Sequence, residues 1–102
     1  MKKARILSVN NYGKIHRYVI EKQKDIHGIF CNFLSSLNFS EESIGEVDIP
    51  FDDLDNEYIY LNENGYEIQF FITKDLVNFI LKTNKDQLEL NKILLNYFEF
   101  PK

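Results

Sequence analysis

The chain has 102 residues, is 44% hydrophobic and 27% charged, carries a net charge of −4, and contains one cysteine and no tryptophan. That size fits a single domain over residues 1–102 with one core, and the composition excludes wholesale disorder. The lone Cys31 excludes an intramolecular disulfide framework and a thiolate zinc cluster, and no stretch approaches the ~20 consecutive apolar residues of a membrane-spanning helix. With no signal-like apolar run near the N-terminus either, the expectation is a cytoplasmic protein that does not act at a membrane.

Residues 3–9 read as a short strand, ended by the turn-forming Asn10-Asn11-Tyr12-Gly13. From Ile15 onward apolar side chains recur at 15, 19, 26, 29, 30, 33 and 37, which is helical spacing and predicts one long N-terminal helix. Lys22 and Gln23 interrupt that stripe, although a lysine can lay its stem along an apolar face. A competing arrangement pairs 3–9 with 14–21 as a hairpin and starts the helix near Asp25. Ser40-Glu41-Glu42-Ser43 then predicts a single helical turn, ended at Gly45. Glu46 to Phe51 alternates strictly, so a strand is expected with Val47, Ile49 and Phe51 on one face and Glu46 and Asp48 on the other. Pro50 lacks an amide hydrogen and would confine that strand to an edge.

The strongest local signal is a hairpin over residues 57–73 closed by Asn64-Gly65. With those two residues at the centre of a type I′ turn, Glu63 opposes Tyr66, Leu61 opposes Ile68, and Ile59 opposes Phe70. Tyr60 then opposes Gln69 and Tyr58 opposes Phe71. One face is aliphatic and aromatic, and the other presents Tyr58, Tyr60, Asn62, Glu67, Gln69 and Phe71. A one-residue slip would carry charge into the core. Beyond the hairpin, Leu76, Val77, Phe79 and Ile80 suggest a short amphipathic helix. Asp86-Gln87-Leu88-Glu89 has the form of a capping box opening a last helix through Tyr97. The expected fold is therefore α+β: a small antiparallel sheet of three or four strands, packed with an N-terminal helix and two C-terminal helices.

Charge is distributed unevenly. Residues 41–67 hold ten of the sixteen acidic side chains and no Lys, Arg or His, so twelve basic and six acidic residues share the rest of the chain. Lys2, Lys3, Arg5, Lys14, Arg17, Lys22 and Lys24 cluster near the N-terminus. An overall acidic chain with a pI near 5.1 is nevertheless a poor general binder of phosphate backbones, and no nucleic-acid partner is expected.

Recognisable chemistry is missing. Asp53-Leu54-Asp55-Asn56-Glu57 starts like a calcium loop, but Tyr58 stands where such a loop needs glycine. His16 and His27 would lie ~16 Å apart along a continuous helix, too far to share a metal ion. Cys31, between Phe30 and Phe33, reads as a small buried hydrophobe. No phosphate loop or nucleophile motif occurs, so no cofactor, metal or catalytic residue is assigned and the chain is not expected to be an enzyme. A pocket joining His16 or His27 to two carboxylates would reverse that expectation.

What the sequence offers is a surface. Glu46, Asp48, Asp52, Asp53, Asp55, Tyr58, Tyr60 and Glu67 form a candidate partner-binding set, with rings for rigid contact area and carboxylates to meet Lys and Arg. In size, acidity and lack of catalytic motif the chain is similar in general character to the immunity proteins that protect bacteria from their own toxins. That resemblance implies an inhibitor of a basic, nuclease-like toxin. The same physics would serve a phage- or mobile-element-encoded inhibitor of a nucleic-acid-binding host protein.

Overall fold

The computed structural model describes residues 3–101. In chain order it contains β1 (Ala4–Tyr12), β2 (Ile15–Glu21), α1 (Ile26–Ser36), α2 (Glu41–Gly45), a 3-10 turn (Phe51–Asp53), β3 (Glu57–Glu63), β4 (Tyr66–Ile72), β5 (Leu76–Thr83), α3 (Gln87–Tyr97) and β6 (Phe98–Glu99). The strands form one six-stranded sheet in the order β3-β4-β5-β2-β1-β6. All neighbours are antiparallel except β1 and β6, which pair in parallel through Ala4–Phe98 and Arg5–Glu99.

This corrects the expected fold. The sheet has six strands rather than three or four, it is mixed, and no N-terminal helix begins at Ile15. Residues 15–21 instead form β2, whose His16, Tyr18 and Ile20 are buried while Ile15, Arg17 and Glu21 are exposed. Strand-preferring Ile, Val and Tyr dominate the segment, and a period of two serves them better than the helical spacing traced through Ile15 and Val19. Gly13, at φ +59°, supplies the positive φ needed to turn β1 into β2. The Lys22-Gln23 interruption is the end of a strand, and α1 opens one residue after Asp25.

Two further expectations fail. Residues 76–83 are a central strand, not a helix. Val77, Phe79, Leu81 and Thr83 are buried on one side of β5, and on the other Leu76, Asn78 and Ile80 are half-buried and only Lys82 is exposed. That two-sided burial hides the alternation that would have marked a strand. Residues 46–51 form no strand either. The amides of Val47 and Asp48 both donate to the Ile44 carbonyl, curling the chain off the end of α2, and Phe51 enters the 3-10 turn with its ring fully buried.

The hairpin has its predicted register throughout, from Glu63–Tyr66 to Tyr58–Phe71. Asn64 and Gly65 both have positive φ, 55° and 82°, as a type I′ turn demands. The Asn64 side chain donates to the Asn38 carbonyl, tying the hairpin tip to the segment between α1 and α2. Ser40 caps α2, accepting from the Ser43 amide, and Asp86 caps α3, accepting from the Leu88 amide.

Helices α1 and α3 cover one face of the sheet, and the core lies between. Phe30 of α1 is its hub, 4.8 Å edge-on from Phe70, 5.4 Å from Phe79 and Phe98, and 6.0 Å from Phe51. These rings gather β4, β5, β6 and the 3-10 turn onto one helix. Edge-to-face pairs of this kind add to the burial of the rings themselves.

Candidate protein-binding surface

Among the described residues no helix lies on the second face of the sheet. The strand alternation that buries Leu61, Ile68, Phe70, Ile72, Val77, Phe79 and Leu81 beneath the helices turns their neighbours outward. Tyr58 (56% exposed), Tyr60 (44%) and Phe71 (44%) stand on this open face at its β3–β4 end. Tyr58 lies directly opposite Phe71, and Tyr60 opposite Gln69. Three large rings thus face solvent on adjacent strands, at positions where rigid aromatic area is available to a partner. Towards the other end of the same face the charge changes sign. Arg17 of β2 and Lys82 of β5 point outward there, and Lys82 is in register with Glu67.

The structure brings only part of the sequence-derived set together. Tyr58, Tyr60 and Glu67 share the open face. Asp52, Asp53 and Asp55 are exposed in the segment that leads into β3, below its first residue. Glu46 and Asp48 do not join them, because they sit on the helical layer after α2. The Asp48 carboxylate lies 4.0 Å from Nε2 of His27 on α1. The strand that was to have placed Glu46 and Asp48 beside the tyrosines does not form.

Two acids outside that set belong to the same edge. Glu57 opens β3 and is exposed. Glu63 closes it, and its carboxylate accepts from the Ser40 amide at 2.6 Å, the Ser43 hydroxyl at 2.6 Å and the Ser40 hydroxyl at 3.1 Å. These donors, the Ser43 hydroxyl foremost, hold the Glu63 carboxyl below the usual glutamate range, so it stays anionic while anchoring α2 to the hairpin. The sequence carried the signal for both: each shares the period-two face of Ile59 and Leu61.

Among the described residues the only side-chain nitrogen of a Lys, Arg or His within 4.0 Å of a carboxylate oxygen is Nε2 of His27, facing Asp48. The carboxylates around β3 therefore have no lysine or arginine partner within that distance there. Lys22 does reach this region, but it donates to the backbone carbonyls of Leu54 (2.6 Å), Thr73 (3.1 Å) and Lys74 (3.3 Å) rather than to a carboxylate.

His27, Cys31 and Asp48 do come together on the helical layer, since positions 27 and 31 lie one turn apart on α1. Burial, the Asp48 charge and a hydrogen bond to Asp48 push the Cys31 thiol up to about 11, so it is protonated at neutral pH. His16 is buried under the first hairpin with Nδ1 2.8 Å from Oδ1 of Asn11. Neither histidine meets two carboxylates, and no cluster of three His, Cys, Asp or Glu side chains suited to a metal ion occurs among the described residues. No helix there is long and apolar enough to cross a membrane.

The fold and surface together define an α+β protein whose sheet is clad on one side and open on the other. No family model, curated protein or solved structure matches the chain.

Proposed function

We propose that this chain is a small protein-binding inhibitor that docks on a basic protein through the β3–β4 end of its open sheet face, as an immunity protein covers a nuclease-like toxin. The observation that carries this reading is the exposure of Tyr58, Tyr60 and Phe71 beside carboxylates that have no lysine or arginine nitrogen within 4.0 Å among the described residues. The rings provide contact area that loses little rotamer freedom on docking, and the carboxylates favour lysine- and arginine-rich surfaces. Glu67 shares the face of the rings and the exposed Asp52–Asp55 segment leads into their strand; Glu46 and Asp48 follow α2 and belong to no strand of the sheet. Electrostatic attraction of this kind accelerates encounter and weakens as salt rises.

The test is capture of proteins on the immobilised chain, in parallel with the triple variant Tyr58→Ala, Tyr60→Ala, Phe71→Ala. A basic protein held by the native chain, lost from the variant and released by salt is the expected result, and the native chain should suppress its activity. Retention of the same proteins by both chains, or of acidic proteins alone, would overturn the reading.

A further inference from the structure

Strand β3 lies at the end of the sheet, bonded to β4 on one side only. In a two-residue hairpin the closing pair exchanges both backbone hydrogen bonds, so Glu63, Leu61, Ile59 and Glu57 bond inward to β4. The amides and carbonyls of Tyr58, Tyr60 and Asn62 consequently point away from the sheet. No other strand pairs with that edge among the described residues. An unpaired edge of seven residues is a template for another strand, and natural sheets usually blunt one with lysine, proline or a bulge. Glu57–Glu63 has no lysine, proline or bulge, and the charges that guard it are the two glutamates at its ends.

The charges at the edge state which strand it admits. Glu57 and Glu63 stand at its two ends on the same side of the strand as Ile59 and Leu61. Asp52, Asp53 and Asp55 precede the first, and Glu41 and Glu42 lie on the short helix that the second anchors. A second copy of this chain, added antiparallel about Tyr60, would set Glu57 against Glu63 at both ends, and like charges directly opposite are destabilising. A strand with a cation at each end and aliphatic residues between meets complementary groups at every position of that side.

From this the geometry points to β-strand addition. The β3 edge receives an extended segment of a partner protein with the alternating pattern basic–x–aliphatic–x–aliphatic–x–basic, forming a seventh strand. Its backbone bonds to Tyr58, Tyr60 and Asn62, its basic residues face Glu57 and Glu63, and its intervening side chains lie beside Tyr58 and Tyr60. The inference rests on the protein-binding reading above and specifies the chemistry of the partner segment.

The probe is a capped heptapeptide, Lys-Thr-Val-Thr-Val-Thr-Lys, whose palindromic sequence fits either strand direction. At millimolar peptide, the amides of Tyr58, Tyr60 and Asn62 in the ¹⁵N-labelled chain should shift and exchange hydrogen more slowly. The same peptide with Glu at both ends should do neither. Asn62→Pro removes one outward amide and leaves the β4 ladder, all three rings and every carboxylate in place, so it should weaken binding about tenfold, while Asn62→Ala should not. Shifts confined to other surfaces, or equal responses to the two peptides, would overturn strand addition. So would a captured basic protein that needs Tyr58, Tyr60 and Phe71 yet is indifferent to Asn62→Pro, in which case the docking face would stand without the added strand. Loss of the rings without loss of the partner would instead remove the protein-binding reading itself.

Discussion

The ammonium of Lys22 donates to the carbonyl oxygen of Leu54 at 2.6 Å, across 32 positions of sequence. The same group reaches the carbonyls of Thr73 and Lys74, and the Lys22 amide donates to the Asp75 carbonyl at 3.1 Å. One side chain at the end of β2 thus fastens the segment entering β3 to the β4–β5 turn. Replacing it by Met keeps the stem and deletes the donors. Lys22→Met should cost about 1–3 kcal/mol in denaturant unfolding and speed amide exchange at residues 52–56. An unchanged midpoint would show that water serves those carbonyls equally well.

His16 gives the fold a dependence on pH. Burial lowers its pKa from the ordinary 6.5, and its ring donates from Nδ1 to Asn11 as a neutral imidazole. The unfolded chain takes up the proton first on acidification, so this stabilisation is present above pH 6.5 and lost as pH falls through the lowered folded value. Denaturant midpoints measured from pH 7.5 to pH 5 should fall for the native chain and vary less for His16→Leu. Parallel profiles would mean that the imidazole binds its proton equally well in the folded and unfolded chain.

Cys31 should be a slow nucleophile despite its partial exposure. With its thiol pushed up to about 11, the thiolate is scarce at neutral pH, and alkylation by iodoacetamide should be slower than for an unfolded cysteine. Asp48→Asn removes the negative charge beside it and should raise the alkylation rate. A rate equal to that of the denatured chain would contradict the protonated state.

Glu57 governs self-association. Glu57→Lys converts both Glu57–Glu63 oppositions of an antiparallel β3–β3 pairing from repulsive to attractive. Sedimentation equilibrium should then find a monomer for the native chain and a concentration-dependent dimer for the variant, more pronounced at low salt. A native dimer insensitive to this substitution would show that β3 is not the associating edge.

Legibility in the sequence followed how strongly each residue type commits to one backbone. Asn64-Gly65 permits few turns, so the hairpin register and the face shared by Tyr58, Tyr60 and Phe71 could be worked out from order alone, whereas the exposure of those rings depended on which face the helices cover. Asp86 likewise declared its cap. The remainder was lost where apolar residues fit two periods. Ile15 and Val19 mimicked a helical face, and in β5 Leu76 and Ile80 share a side with Asn78 and Lys82, which blurs its alternation. Val47, Ile49 and Phe51 alternate as a strand would, yet only Val47 and Phe51 are buried and Ile49 stays exposed. That failure moved Glu46 and Asp48 away from the tyrosines. The acidic tract was legible as composition, but its division between the sheet and the segment after α2 depended on a loop whose path no local rule sets.

The parallel contact between β1 and β6 joins residues 94 positions apart, Ala4 and Phe98. During synthesis the first strand must wait for nearly the whole described chain before its outer neighbour exists. Phe98, which packs on the Phe30 hub, arrives with that neighbour. The core therefore cannot close on the local hairpins alone and waits for a contact of high sequence separation, the kind whose loop-closure cost slows folding.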